Sequence, residues 1–292
     1  MKLPAKMALF FALTWGLSLL YSLFGMQRLP FFIYGLGMMW IPGLCALAFS
    51  AQEKIRLSIF APLSWNYLSP ALKALGLIFV VFLASLPLGH FIGFEGLRQQ
   101  LPAIFRGLQP IYFAPVALLY LFTICIGVGI SINMLSALGE ELMWRGYLWE
   151  KLKHLGLGRA SLVIGVLWGL WYAPVIFLFG LHYPTLSGFG WVIILVFCIS
   201  LTPILTLFRA RGKSIVYPAI FHGTMNALSP SFCYFFRNPN SFLIGITGVV
   251  GIFIYAAFSV LAIVGWQKRI RQGENRNTEC HGGGESSSRQ SS

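Results

Sequence analysis

The sequence contains no aspartate, and only 10% of its 292 residues are charged, against ~25% in an average soluble domain. A soluble fold would have too little polar surface to cover its core. Cysteine is also scarce. The five thiols, Cys45, Cys125, Cys198, Cys233 and Cys280, show no close spacing, which excludes a disulfide framework and a zinc-type cysteine cluster. Four lie in or beside apolar runs, where a thiol serves as a small core side chain. No repeat of fixed period is evident, so an inverted-repeat transporter has no positive support. What the chain has is apolar length, at 57% of all residues. Each bilayer crossing takes about 20 residues, so about eight crossings would use that total. The expected fold is all-α: a polytopic integral membrane bundle of about eight helices around a polar cavity.

The apolar runs lie at roughly 7–26, 31–51, 70–93, 111–137, 159–180, 188–208, 215–232 and 241–266. Three regions follow: 1–110 with transmembrane helices 1–3, a core at 111–266, and a polar tail at 267–292. The tail has too little apolar surface to fold and reads as a disordered cytoplasmic extension. Between the fourth and fifth runs, 138–156 reads as an amphipathic stretch. The net charge is +13, but the basic residues cluster at the ends of apolar runs, as topology determinants do. Nucleic acid is therefore not an expected partner. Eight spans place sixteen basic residues on one side and four on the other. The positive-inside rule then puts both termini in the cytoplasm, for a protein of the cell or inner membrane. The first run, after Lys2 and Lys6, reads as a retained anchor rather than a cleaved signal.

Against this background, polar residues in apolar segments stand out, because each charge costs about 2.5–3.5 kcal/mol to insert. Glu140, Glu141 and Arg145 interrupt one apolar stretch. Glu141 and Arg145 are four apart and can pair on one helical face, while Glu140 points about 100° away toward another partner. The bland alternative is an ion-pair cluster anchoring the helix near the headgroups. His222 and Asn226, again four apart, form a second polar stripe beside Gly223, which permits close helix approach. A lone membrane histidine is often a satisfied core residue, yet this stripe could meet Glu140 and supply a base, oxyanion donors or a metal ligand. Between them lies Trp168-Gly169-Leu170-Trp171-Tyr172-Ala173-Pro174, which by itself reads as packing and an interfacial aromatic belt.

Taken in order, Glu140-Glu141-x-x-x-Arg145, the Trp-Gly-Leu-Trp-x-x-Pro segment and His222-x-x-x-Asn226 resemble the CPBP (CAAX protease, or Abi) family of intramembrane proteases, related to the CAAX prenyl endopeptidase. The resemblance covers roughly residues 111–232. It implies that Glu140 activates the attacking water, that Glu141 and Arg145 support it, and that His222 and Asn226 steady the oxyanion. In the metal-dependent account it implies zinc bound by Glu140 and His222. The family's second motif is Phe-x-x-x-His, and here Trp168 and Tyr172 stand at those positions. Tyrosine cannot act as a neutral base near pH 7 but can donate a hydrogen bond. Losing that histidine leaves fewer than the three protein ligands usual for catalytic zinc. His182, in the loop after the fifth run, could compensate; His90 and His154 have no matching context.

Three functions compete. The first is an intramembrane endopeptidase, with a peptide or membrane protein as substrate and the bilayer as its surroundings. The second is a catalytically impaired relative acting as a scaffold, immunity factor or regulator, favoured by Tyr172. The third is a proton or solute transporter using the same buried Glu and His as a relay. The sequence specifies neither substrate nor oligomeric state.

Overall fold

A computed structural model describes residues 3–59, 123–179, 189–229 and 245–282, with helical fragments at 72–73, 76–78, 80–81, 84 and 119. Most of the expected third span and the first half of the fourth lie outside the described residues, as do His90 and His182. Among the described residues the structure is helical and has no strand. Helix α1 spans Leu3–Gly25 and α2 spans Phe31–Gln52. A long helical run follows, π-helical over Ile124–Asn133, α-helical over Met134–Glu141 (α3), π-helical again over Leu142–Leu148, and closed by α4, Trp149–Leu152. After a tight turn at Lys153–Leu155 come α5 (Gly156–Phe179), α6 (Gly190–Gly212), α7 (Val216–Leu228) and α8 (Val249–Gly282). Gly156 has φ +79°, a conformation that glycine adopts without steric cost, so the chain can reverse there.

Five helical stretches are long and apolar enough to cross a membrane: Ala8–Gly25, Ile33–Gln52, Gly127–Phe179, Gly190–Gly212 and Val249–Gln272. The third joins two expected spans, and α7, at 13 residues, is a short apolar helix packed within the bundle. Large side chains such as Phe24, Leu44, Phe253 and Leu261 stand exposed on α1, α2 and α8, where they face lipid. The molecule is a polytopic helical membrane bundle.

The segment 138–156 departs from the amphipathic reading. Every residue from Gly139 to Trp149 is buried, so this helix has no solvated face and lies in the middle of the bundle. Its charges find partners inside the protein instead of at the headgroups. Small residues bring its neighbours close. A β-carbon on Gly43 of α2 would lie 2.6 Å from the carbonyl oxygen of Gly139, and one on Gly223 of α7 would lie 2.6 Å from that of Gly129. Such contacts let backbones approach where lipid gives no hydrophobic drive.

One end of the bundle gathers the charges. Glu53, at the end of α2, is flanked by Lys6 of α1 (3.4 Å) and by Lys151 of α4. Burial alone would raise the Glu53 pKa, but these two ammonium groups outweigh it and hold the carboxyl below its usual range. Arg209, near the end of α6, donates to the backbone carbonyl of Arg145 (3.1 Å) and pairs with Glu150 (2.9 Å). Helix α8 continues past Trp266, where the composition turns polar, and runs to Gly282. Extending an existing helix fixes one residue per new hydrogen bond without a fresh nucleus, and Gln, Lys, Arg and Glu are good helix formers.

Candidate active site

Four elements meet at one buried polar cluster. The end of α3 and the π-helical turn after it carry Glu140, Glu141, Trp144 and Arg145. Helix α5 contributes Trp168 and Tyr172, α6 contributes Thr202, and α7 contributes His222. Glu140, Glu141 and Arg145 have no exposed surface, and His222 retains 1%. Widened helical turns of this kind recur at functional sites.

Glu140 receives hydrogen bonds on both oxygens. The indole N–H of Trp168 donates to Oε2 at 2.6 Å and that of Trp144 at 3.3 Å, while the Tyr172 hydroxyl donates to Oε1 at 3.0 Å. An ionised carboxylate offers about four acceptor sites, so room remains on Oε1 for one more donor, such as water. Glu141 has other partners. Its Oε1 accepts from Arg145 and from Nδ1 of His222, both at 2.9 Å. Arg145 also donates to the Thr202 hydroxyl (3.2 Å), and its guanidinium lies 4.4 Å over the Trp168 ring.

Adjacent carboxylates are thereby separated in role. A carboxylate can only accept, so His222 donates through Nδ1–H. Trp168 joins the two halves: it bonds Glu140 and packs edge-on against the His222 ring, with centroids 5.4 Å apart. Glu140 and His222 are also within electrostatic reach of one another. The Tyr172 hydroxyl turns toward Glu140. Asn226 is half-buried on α7, and its side chain makes no hydrogen bond among the described residues. Several buried polar atoms around the cluster have no partner among the described residues: Glu141 Oε2, Arg145 Nε, Thr206 Oγ1 and Thr224 Oγ1. Each is a place where ordered water would be favourable.

Two contributors escaped the sequence reading. Trp144 is one turn beyond Glu140, and the same four-residue spacing that pairs Glu141 with Arg145 would have flagged it. Thr202 had no signal, because its role depends on how α6 packs. His154 lies exposed on the turn before α5, away from this cluster.

Among the described residues, the side chains around Glu140 do not fit a zinc ion. Catalytic zinc takes three protein ligands. No group of three His, Cys, Asp or Glu side chains placed to hold a metal occurs among the described residues. Glu140 is surrounded by indole and phenol hydrogens instead, and an indole N–H has no lone pair to offer a metal.

Comparison with known proteins points the same way as the geometry. Residues 115–228 match the family model for type II CAAX prenyl endopeptidase Rce1-like proteins. A curated relative, CAAX prenyl protease 2 of Methanococcus maripaludis, is 35% identical over 99 residues, which is 32% of this chain and 36% of the relative. The match thus spans about a third of that protein's length. Residues 115–228, the segment that supplies Glu140, Trp168, Tyr172 and His222, are thus similar to type II CAAX prenyl endopeptidases, in keeping with the resemblance to the CPBP family that the motifs carry.

Proposed function

We propose that this protein is an intramembrane endopeptidase that hydrolyses a peptide bond with water activated at Glu140. The observation that carries the reading is the gathering of Glu140, Tyr172 and His222 around Trp168 in the bundle interior. Water on the open acceptor position of Glu140 Oε1 loses its proton to that carboxylate as its oxygen attacks the peptide carbonyl carbon. The proton then passes to the departing amine nitrogen as the carbon–nitrogen bond breaks. The oxyanion formed in between needs donors, each worth about 2.7–4 kcal/mol in well-placed cases. Asn226 can offer its amide N–H₂, and Tyr172 its hydroxyl once water takes over its bond to Glu140. Glu141, itself held by Arg145, fixes the orientation of His222. No step in this scheme requires a metal.

The substrate class is a peptide presented from the membrane, as the prenyl-protease name of the relative suggests. The test is cleavage of a membrane-tethered peptide by the purified protein beside Glu140→Ala. Turnover that depends on Glu140 supports the assignment; equal turnover in both eliminates it.

One observation favours a second reading, a non-catalytic relative that keeps the cluster for recognition. Glu140 is fully buried with donors on both oxygens, which suits a structural acid as well as a catalytic one. Glu140→Gln separates the two, since the amide keeps the shape and removes the base. A membrane phenotype that survives this change would favour the scaffold.

A further inference from the structure

Helices α6 and α8 run side by side in the same direction. The Ser259 hydroxyl donates to the carbonyl of Ser200 at 2.6 Å, and the rings of Tyr255 and Phe197 pack edge-on at 5.9 Å. These contacts set a register offset of 58–59 residues, which carries Arg211 opposite Arg269 and Ile270. The two guanidinium groups are indeed close enough to repel each other. Helix α5 packs against α8 on the membrane side of them, since a β-carbon on Gly158 would lie 3.5 Å from Ile263. Both arginine side chains are exposed.

Among the described residues, Glu53 is taken by Lys6 and Lys151, and Glu150 by Lys153 and Arg209. Neither Arg211 nor Arg269 has a carboxylate partner there. Keeping two cations together without an acid costs stability unless an anion is supplied from outside.

We propose that Arg211 and Arg269 form a binding site for the phosphate of an anionic phospholipid, at the basic rim between α6 and α8. The chemistry is that of arginine forks on phosphate oxygens. A lipid suits the position better than a free phosphate. The rim lies just beyond Trp266, an interfacial anchor packed partly against the core. Exposed Leu162, Leu261 and Val264 lie on the membrane side of it, giving acyl chains an apolar surface to follow. Basic pockets between membrane helices bind lipid headgroups in this way. The site is separate from the Glu140 cluster, so the proposal stands whether or not the protein is a peptidase.

The test uses the full chain in a neutral detergent, with bound lipid counted by native mass spectrometry. Phosphatidylglycerol should be retained, and phosphatidylcholine should not. Arg211→Gln combined with Arg269→Gln should weaken phosphatidylglycerol retention by about thirtyfold, taking ~1 kcal/mol per charge, while Lys54→Gln should leave it unchanged. If the double variant does not fold, each single variant, which relieves the mutual repulsion, provides the comparison. Equal retention of the two lipids, or undiminished retention in the variants, would overturn the proposal. A third arm adds inorganic phosphate without lipid. Thermal stabilisation by phosphate that equals that of phosphatidylglycerol would reassign the site to a soluble anion and refute the lipid occupant.

Discussion

The indole nitrogen of Trp168 lies 2.6 Å from Oε2 of Glu140, the shortest hydrogen bond that this acid receives. The same ring packs against His222 and beneath the guanidinium of Arg145. One aromatic side chain thus touches the acid, the imidazole and the supporting cation.

Trp168→Phe should separate the hydrogen bond from the packing. Phenylalanine keeps most of the ring contact but loses the donor. A hydrogen bond to a charged group is worth about 1.5–3 kcal/mol, so peptide turnover should fall by roughly ten- to a hundredfold, while the melting temperature falls less than in the alanine variant. Trp168→Ala should instead unfold the protein more readily, by about 3–5 kcal/mol. Steady-state cleavage and a detergent melt on the same preparations distinguish the two.

Arg145→Met should be the most damaging change in the supporting pair. It leaves Glu141 buried with His222 as its remaining partner, and breaking a buried ion pair costs about 3–5 kcal/mol. Replacing both partners, Arg145→Met with Glu141→Gln, should cost less than the sum of the single changes. A double-mutant cycle on melting midpoints measures the difference.

Chelation should leave turnover unchanged. Because the donors around Glu140 are indoles and a phenol, prolonged treatment with a strong zinc chelator followed by desalting is expected to preserve cleavage. The purified protein should hold far less than one zinc per chain by elemental analysis. Tyr172→Phe, in contrast, should slow cleavage about tenfold or more through loss of one donor.

Acid should loosen the contact among α1, α2 and α4. The Glu53 carboxyl has its pKa held below the ordinary value of 4.5 by Lys151 and Lys6. A depressed acid contributes stability that is complete above the unfolded-state pKa and is lost as pH falls through the folded-state value. Melting temperature should therefore hold steady above about pH 5 and drop below 4.5. Glu53→Gln should be less stable at neutral pH and show a smaller acid-side drop. An unchanged slope in that variant would remove Glu53 from the account.

How much of this could be read from the chain depended on distance along it. Glu141 and Arg145 share a helical face by spacing alone, and so does the divergence of Glu140 from them. The membrane character follows from apolar length. Partner choice between helices did not follow: His222 bonds Glu141 rather than Glu140, and that depends on the seating of Gly223 against Gly129 and Asn133. The amphipathic reading of 138–156 failed because charged residues in sequence look alike whether water or an internal partner satisfies them. Tyr172 shows the same divide. Its chemistry was legible as a donor without a base, but the acid it faces became clear only when α5 was placed beside α3.

The placement of Trp144 and Trp168 against Glu140 also gives the protein a built-in optical probe. Indole emission responds to the charge and hydration of its immediate surroundings, and two of the chain's nine tryptophans hydrogen-bond this one carboxylate. Changes in charge or hydration at Glu140 can therefore be followed by fluorescence without attaching a label.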